Sequence, residues 1–539
     1  MRIVIFDGYV DEPACLGVPP YISPLIRYVA GAVKDSDNDF TYLTIDEYRK
    51  NPDRVKQMMN AKALILVAGA VVPGKYLRAM PVSSKEIREI SEKFDGVKIA
   101  GGARVRFGLD NYNGFDFVAK KDLDAVVYDF LTEKVFLDRN RTVDEWNRWS
   151  VKGAEIVRHH PDFPLPLIAE VETMRGCVRY FTGGCSFCIE PLYGKPVFRD
   201  ADDIVKEVKV LNSMGVVNFR LTQSCFFSYK ANGIGEAETP TPNPDEAKKL
   251  LKGIRNAAAN INVLHVDNAN PAVIAEHPAE SEKIMKNLVK YCTPGNVLAL
   301  GMETADPAVT RANNLNATPE QVMKSIELIN KIGCGRGKNG MPELLPGINI
   351  VCGLKGENRE TYELNYRFLK TVLDKGMLLR RINIRQVLGF REKFQRKHHS
   401  LFIRYKEKIR KEIDREMLKK IVPFGTVLKD VFMEKQIGNT MFGRQIGSYP
   451  LLVGIPYKIR ENVFIDVCVT DWGMRSITGI GYPFSINKAS LKAVESLPGV
   501  GKKRAMRIVR SRPFKTENGF IKCLDDRTVG EKILRFLEF

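Results

Sequence analysis

The chain has 539 residues, 44% hydrophobic and 27% charged, which excludes a disordered or fibrous protein and leaves room for several domains. Lys and Arg number 83 against 64 Asp and Glu, a net +19 that favours a polyanionic partner, either nucleic acid or an anionic membrane surface. No apolar run reaches the length of a membrane span, and the first residues turn acidic at Asp7, too early for a signal peptide, so a cytoplasmic protein is expected and no membrane partner.

Residues 1–150 read as strands alternating with helices: strands at 2–6, 40–44, 63–67, 97–100 and 115–119, and a helix at 84–94 with Ile87, Ile90 and Ser91 at helical spacing. Such alternation predicts a doubly wound α/β domain with a parallel sheet covered on both faces. The polar stretch 138–147 and the three prolines of 161–166 are expected to form a linker. The alternation then resumes at larger scale. Strands are expected at 168–173, 216–221, 262–266, 297–302, 347–351 and 381–387, with helices at 202–214, 244–258, 319–332 and 359–374. Repeated βα units over 165–390 predict a barrel or partial barrel whose ligands sit at the C-terminal strand ends. Residues 380–420 hold 15 Lys and Arg against 5 Asp and Glu. Phe402, Tyr405, Ile409 and Ile413 give this stretch one apolar face, so 391–422 is expected to be a basic helical connector. Short β runs punctuated by glycine over 423–483 predict a small β-barrel, and 484–539 is helical and basic again.

Ten cysteines, too dispersed in a long chain for a disulfide framework, include one cluster, Cys177, Cys185 and Cys188. Three thiolates can hold three irons of a cubane and leave the fourth iron open. Zinc is the rival, since CxxC is also its usual half-site, but no His or further Cys follows until Cys225.

The ending Cys185-Ser-Phe187-Cys188 resembles the signature of the radical S-adenosylmethionine (SAM) superfamily, although the seven residues between Cys177 and Cys185 make a wider first gap than the family has. Leu300-Gly-Met-Glu303, Ile348-Asn349 followed by Gly353 and Gly356, and Arg381-Ile-Asn-Ile-Arg385 resemble later strands of that family. The resemblance implies a partial (β/α)6 barrel, a [4Fe–4S] cluster on the three cysteines, and SAM held by Phe187, Glu303 and Asn349. The family's Gly-Gly-Glu after the second strand is replaced by Thr222-Gln223-Ser224-Cys225, which leaves Gln223 to meet the methionine amine. It also implies an electron donor such as ferredoxin or flavodoxin.

The segment 423–483 resembles the TRAM domain of tRNA methylthiotransferases, which implies phosphate contacts from Lys429, Lys435, Arg444, Lys458, Arg460 and Arg475. Phe432, Phe442, Tyr449 and Trp472 would stack on bases. Ser496-Leu-Pro-Gly-Val-Gly501-Lys502-Lys503-Arg504 resembles a helix-hairpin-helix, a motif that grips nucleic-acid backbones without reading bases. Methylthiotransferases carry three further cysteines in their first domain, whereas Cys15 is alone here. The other class with an α/β domain before a radical SAM barrel binds cobalamin and methylates carbon; its Asp-x-His-x-x-Gly motif is missing, since no His precedes His159. The first domain is therefore expected to bind cobalamin or to pack and help bind substrate. The whole resembles archaeal radical SAM proteins with a C-terminal helix-hairpin-helix. It implies a tRNA-modifying transferase, with carbon methylation of a nucleoside such as threonylcarbamoyladenosine favoured. The other readings are a tRNA methylthiotransferase, a DNA-repair enzyme, and a zinc-containing nucleic-acid-binding protein.

Overall fold

Strands β1 (Ile3–Asp7) and β4 (Ala63–Val67) are apolar apart from Asp7 and are buried throughout, as a sheet covered on both faces requires. In the computed structural model, which describes residues 2–9, 20–69, 80–106, 108, 111–222, 224–389, 391–395 and 398–539, they sit at the centre of a five-stranded parallel sheet. With β3 (Phe40–Thr44), β5 (Val97–Gly101) and β6 (Phe117–Val118) the order is β3-β1-β4-β5-β6. The chain reverses direction across the sheet between β1 and β4, so the crevice beyond their C-terminal ends is the natural ligand edge of such a fold. A capping box from Ser83 and Glu86 starts the helix Ser84–Lys93, which buries Ile87, Ile90 and Ser91.

The short strand β2 (Tyr21–Ile22) leaves this sheet and pairs with β7 (Ile168–Glu172) instead. Residues 143–147 of the expected linker are helical, in Val143–Lys152. Thr142 and Glu145 form a capping box there, and Trp146 and Trp149 are buried against Pro24–Asp35, so a polar sequence hides two large anchors. The join is further held by charge. Arg27 and Arg199 both pair with Glu207, all three fully buried, and Arg141 pairs with Asp124 while lying 4.6 Å over the Tyr28 ring.

The chain divides into two compact units. The first comprises Met1–Thr293, Asn313–Ala317 and Leu388–Phe394, and the second Pro294–Ala312, Thr318–Val387 and Gln395–Phe539. In the first unit, β7 is followed by the ribbon β8 (Met174–Arg175) and β9 (Val197–Phe198), then β10 (Asn218–Thr222), β11 (Val263–Val266) and β12 (Asn268–Ala269). A parallel sheet runs β11-β10-β7-β2.

In the second unit, β13 (Asn296–Glu303), β14 (Leu344–Cys352) and β15 (Ile382–Gln386) are parallel neighbours. The basic connector is helical over His399–Ile409 and Arg415–Ile421 with a π turn between, and it buries Phe402, Tyr405, Ile409 and Ile413 as its spacing predicts. Strands β16 (Val427–Ile437), β17 (Thr440–Gln445), β18 (Leu452–Ile455), β19 (Val463–Trp472) and β20 (Ser476–Tyr482) close into a barrel. Strand β17 has no clear sequence signal because Gly443 interrupts it; a Cβ there would lie 2.4 Å from the Phe432 carbonyl oxygen, so the glycine marks close backbone approach. Beyond the barrel, β21 (Phe484–Ser485) pairs with β22 (Leu537–Glu538), enclosing four helices around their own core. No described helix is long and apolar enough to cross a membrane.

Candidate active site

The cysteine loop leaves β7 and is tied at its base by the β8–β9 ribbon. Two adjacent glycines, Gly183 and Gly184, both with positive φ, turn the wide segment back, and a Cβ on Gly184 would strike Pro191 at 2.5 Å. The extra residues that widen this loop do not hang free. Arg179 donates to the Asn314 carbonyl at 2.9 Å and reaches Glu238 at 3.2 Å. Asn314 Nδ2 donates to the carbonyls of Thr182 and Gly184 at 3.1 and 2.9 Å. Ser186 bonds Asn313 through both backbone and hydroxyl. Arg391 closes the set, one nitrogen donating to the carbonyls of Gly183, Cys185 and Cys188 at 2.7, 3.0 and 3.1 Å.

The thiols themselves are half-buried. The Arg179 amide donates to Cys177 Sγ at 3.4 Å and its guanidinium to Cys185 Sγ at 3.6 Å. Burial pushes the Cys177 and Cys188 thiols up, with the neighbouring thiols and Glu190 adding to the effect at Cys188, so both need an electrophile to displace the proton. Among the described residues, no three His, Cys, Asp or Glu side chains converge on one point as a single ion requires. A cubane makes no such demand, since each thiolate meets its own iron. The loop fits an iron–sulfur cluster: three thiols, N–H donors aimed at two sulfurs, and a backbone held in place. Phe187 is half-buried between the last two cysteines, and Gln223 lies outside the described residues, as does Cys15.

The second unit carries the other predicted ligands. Along β14 and β15 the side chains alternate, with Ile348, Ile350, Cys352, Ile382 and Ile384 buried on one face and Asn349, Asn383 and Arg385 half-exposed on the other. Asn383 donates to Asn349 at 3.1 Å, and Gly301 is in register beside Asn349. Strand β13 slips register between Gly301 and Glu303, and Glu303 adopts φ 63°. A bulge and a left-handed carboxylate at a strand end are features found where a fold re-aims a side chain for function. A Cβ on Gly301 would lie 3.1 Å from Glu303 Oε1, so the carboxylate folds over the glycine. Burial pushes the Glu303 carboxyl up to about 8, with Arg385 opposing in part.

The proposed nucleic-acid residues divide. Lys429, Lys502 and Lys503 are exposed, while Arg504 is turned toward Asp525 and Asp526. Arg444 does not reach the surface: it is 5% exposed and donates to buried Glu434 at 2.8 Å, a core ion pair rather than a phosphate contact. Phe432 and Tyr449 are likewise buried, and Tyr449 stacks under Arg381, so neither offers a face to a base. Their alternation pointed the right way for a strand, but sequence could not say which face of the barrel was inside. Sequence reasoning also missed Arg391, Asn313 and Asn314, which lie more than a hundred residues from the loop they hold. It missed the row Glu170–Arg220–Asp267 on β7, β10 and the strand end beyond β11 as well.

Residues 171–369 match the family model of the radical SAM superfamily. An uncharacterized protein of Methanocaldococcus jannaschii is 48% identical over 509 residues, covering 89% of this chain and 93% of its own. The tRNA-2-methylthio-N(6)-dimethylallyladenosine synthase of Thermodesulfovibrio yellowstonii is 22% identical over 255 residues, 46% of this chain and 49% of that one. The structure of the radical SAM methyltransferase TsrM from Kitasatospora setae, with cobalamin and a [4Fe–4S] cluster bound, superposes with a TM-score of 0.47 at 13% identity, over 71% of this chain and 72% of that one. The chain carries a radical SAM domain over residues 171–369. It is a radical SAM enzyme, and its cofactors are a [4Fe–4S] cluster and SAM.

Proposed function

We propose that this enzyme modifies tRNA by methylating an unreactive carbon of a nucleoside, with threonylcarbamoyladenosine one target of suitable chemistry. The observation that carries the reading is the meeting, within the first unit, of the N-terminal sheet's ligand edge and the cysteine loop. Strand β5 ends at Gly101, and the short helix Ala103–Arg106 that follows supplies Arg106, which lies 4.6 Å over the ring of Tyr193 on the cysteine loop. Asp122, at the head of the next helix, accepts from Arg175 at the base of that loop. A methyl carrier seated at this edge, cobalamin by chemical class, would stand beside the cluster. A single cysteine in the N-terminal domain cannot hold the second cluster that a methylthiotransferase uses as its sulfur source.

When bound, the cluster and SAM supply a 5′-deoxyadenosyl radical able to take hydrogen from a carbon that ordinary acid–base chemistry cannot reach. The chain's own part is positional. Cys177, Cys185 and Cys188 would hold the irons on a loop fixed by Arg179, Asn314 and Arg391, and in the second unit Glu303 and Asn349 would meet SAM. A ferredoxin or flavodoxin delivers the electron. The excess of basic side chains, with Lys429, Lys502 and Lys503 exposed, supports an RNA partner, as does the likeness to a tRNA-modifying synthase.

The test is anaerobic reconstitution, counting iron, cobalt and zinc on one sample, then incubation with SAM, reductant and undermethylated tRNA. About four irons, bound corrinoid, deoxyadenosine and a methylated nucleoside are expected. A thiomethylated product with more iron would establish the methylthiotransferase reading instead. Preference for duplex DNA over tRNA would point to repair, and zinc without iron would overturn the radical reading altogether.

A further inference from the structure

The widened cysteine loop carries a cation that the fold turns back onto the loop's own sulfurs. Arg179 stands two residues after Cys177 and is 3% exposed. After it come the single turn Tyr180–Thr182 and the paired glycines Gly183 and Gly184, at φ 79° and 60°. That reversal brings Cys185 alongside the guanidinium, and a tighter gap between the two cysteines would leave no chain for it.

The contacts of this side chain divide between the sulfur and a carboxylate. Nη1 is shared between Cys185 Sγ at 3.6 Å and the Asn314 carbonyl at 2.9 Å. Nη2 is shared between Glu238 and Asn314 Oδ1, both at 3.2 Å. The Arg179 amide donates to Cys177 Sγ at 3.4 Å, so one residue offers N–H groups to two of the three thiols. Asn314 holds both guanidinium nitrogens and also the carbonyls of Thr182 and Gly184, which fixes cation and loop together. Burial raises the Cys177 thiol, and the Arg179 amide and guanidinium offset part of that rise.

A neutral donor would brace the loop as well. A buried cation against a ligand sulfur does more, because it responds to the charge on whatever the sulfur holds. Reduction brings one electron from a one-electron carrier to an oxidised [4Fe–4S]²⁺ core and leaves [4Fe–4S]⁺, with no bond made or broken and no proton moved. A fixed N–H donor and positive charge beside the thiolates stabilises that more negative state over the oxidised one.

We propose that Arg179 is a positioning residue that raises the reduction potential of the cluster, and that Glu238 limits the rise by pairing with the same guanidinium. Glu238 has a side chain 42% exposed and meets Nη2, whereas the sulfur meets Nη1. A second carboxylate at the loop base, Glu190, accepts from the Gly176 amide at 3.2 Å and opposes Arg179. Its charge is common to the variants below and cancels between them. The inference concerns the reduction step alone and is independent of the substrate.

The full chain is reconstituted anaerobically, and the cluster potential is measured by redox titration followed by electron paramagnetic resonance. Wild type is compared with Arg179→Gln, Arg179→Lys and Glu238→Gln. At matched iron content, Arg179→Gln should lower the reduced-to-oxidised ratio at a fixed potential by about tenfold, a fall of about 59 mV for one electron. Arg179→Lys keeps the charge and should stay closer to wild type. Glu238→Gln should move the potential the other way, by less, because its carboxylate is partly solvated. Opposite signs are the signature, since a loop merely loosened would shift both neutral variants alike. If Arg179→Gln takes up less iron, Glu238→Gln decides alone, because it leaves Arg179 on Asn314 and on both sulfurs. A potential unchanged or lowered in Glu238→Gln overturns the proposal, as does an Arg179→Gln potential equal to or above wild type. Arg179 is then a brace like Asn314 and nothing more.

Discussion

Three carbonyl oxygens of the cysteine loop point at one guanidinium, and that arrangement makes Arg391 the residue whose loss is most informative. Charge-assisted bonds of this kind contribute about 1.5–3 kcal/mol each when shielded, and less at a half-exposed site such as this. Arg391→Ala should reconstitute with less iron and lose its cluster faster in air, and Arg391→Lys should recover part of the loss, because all three acceptors meet a single nitrogen and an ammonium carries three N–H donors on one. Iron content and electron paramagnetic resonance of the reduced cluster check this; unchanged values would reduce Arg391 to a surface contact. Glu303 makes a pH prediction. Its carboxyl is raised to about 8, so the cationic ligand it is expected to hold must displace a proton below that pH. SAM affinity should climb by up to about tenfold per pH unit toward pH 8 and then level off, and Glu303→Gln should flatten the climb. Calorimetric titrations of both chains across that range are the measurement, and parallel curves would exclude Glu303. For stability the sign is the reverse. The folded chain keeps a proton that the unfolded one loses above the ordinary value of 4.5, so this group's contribution is present at low pH and declines as pH rises from 4.5 to about 8.

At the scale of elements, close approach decides what substitutions cost. The helices Pro24–Asp35 and Val143–Lys152 cross so tightly that a Cβ on Gly31 would lie 2.0 Å from the Trp149 carbonyl oxygen. The obstacle is backbone, so the helices must separate: Gly31→Ala should destabilise the first unit by at least about 1–3 kcal/mol. Gly335→Ala, with no atom within 4 Å of its Cβ, should change stability by under about 0.5 kcal/mol. Thermal melts of the two variants side by side would expose any error. The barrel gives a matching contrast between burial and binding. Arg444→Ala strands Glu434 in the core and should cost about 3–5 kcal/mol while leaving the salt dependence of RNA binding unchanged. Joint replacement of exposed Lys502 and Lys503 by Gln should do the opposite, lowering the salt slope at constant stability. An RNA salt slope that responded to Arg444 and not to the lysines would contradict this assignment.

For the whole molecule, the first unit fuses two sheets through β2, which leaves the N-terminal domain to pair with β7, and through the buried Arg27–Glu207–Arg199 triad. A join made of buried charge is geometrically demanding rather than strongly stabilising, since desolvation offsets much of the attraction. Its value here is register, because it fixes the sheet's ligand edge relative to the cysteine loop. The same demand explains why an expected linker became a helix: the chain between the domains carries the packing surface itself.

The sequence by itself determined the longer strands and helices, the cysteine spacing and the basic connector, since each depends on neighbours a few residues apart, a side-chain period of two or 3.6 or a cap, whereas β17 and the helix Val143–Lys152 escaped it. Glu303 was singled out only by the resemblance of Leu300-Gly-Met-Glu303 to a family segment, and the fold of its carboxylate over Gly301 is visible only in three dimensions. Only the tertiary structure decided that Arg391 and Asn314 brace the cluster loop, that Arg444 is core and Lys429 surface, and that Arg380, Arg381 and Arg475 line one recess. Those outcomes depend on which face of a strand turns inward and on which distant segments meet, quantities that burial free energy settles over the whole chain and that no local pattern records.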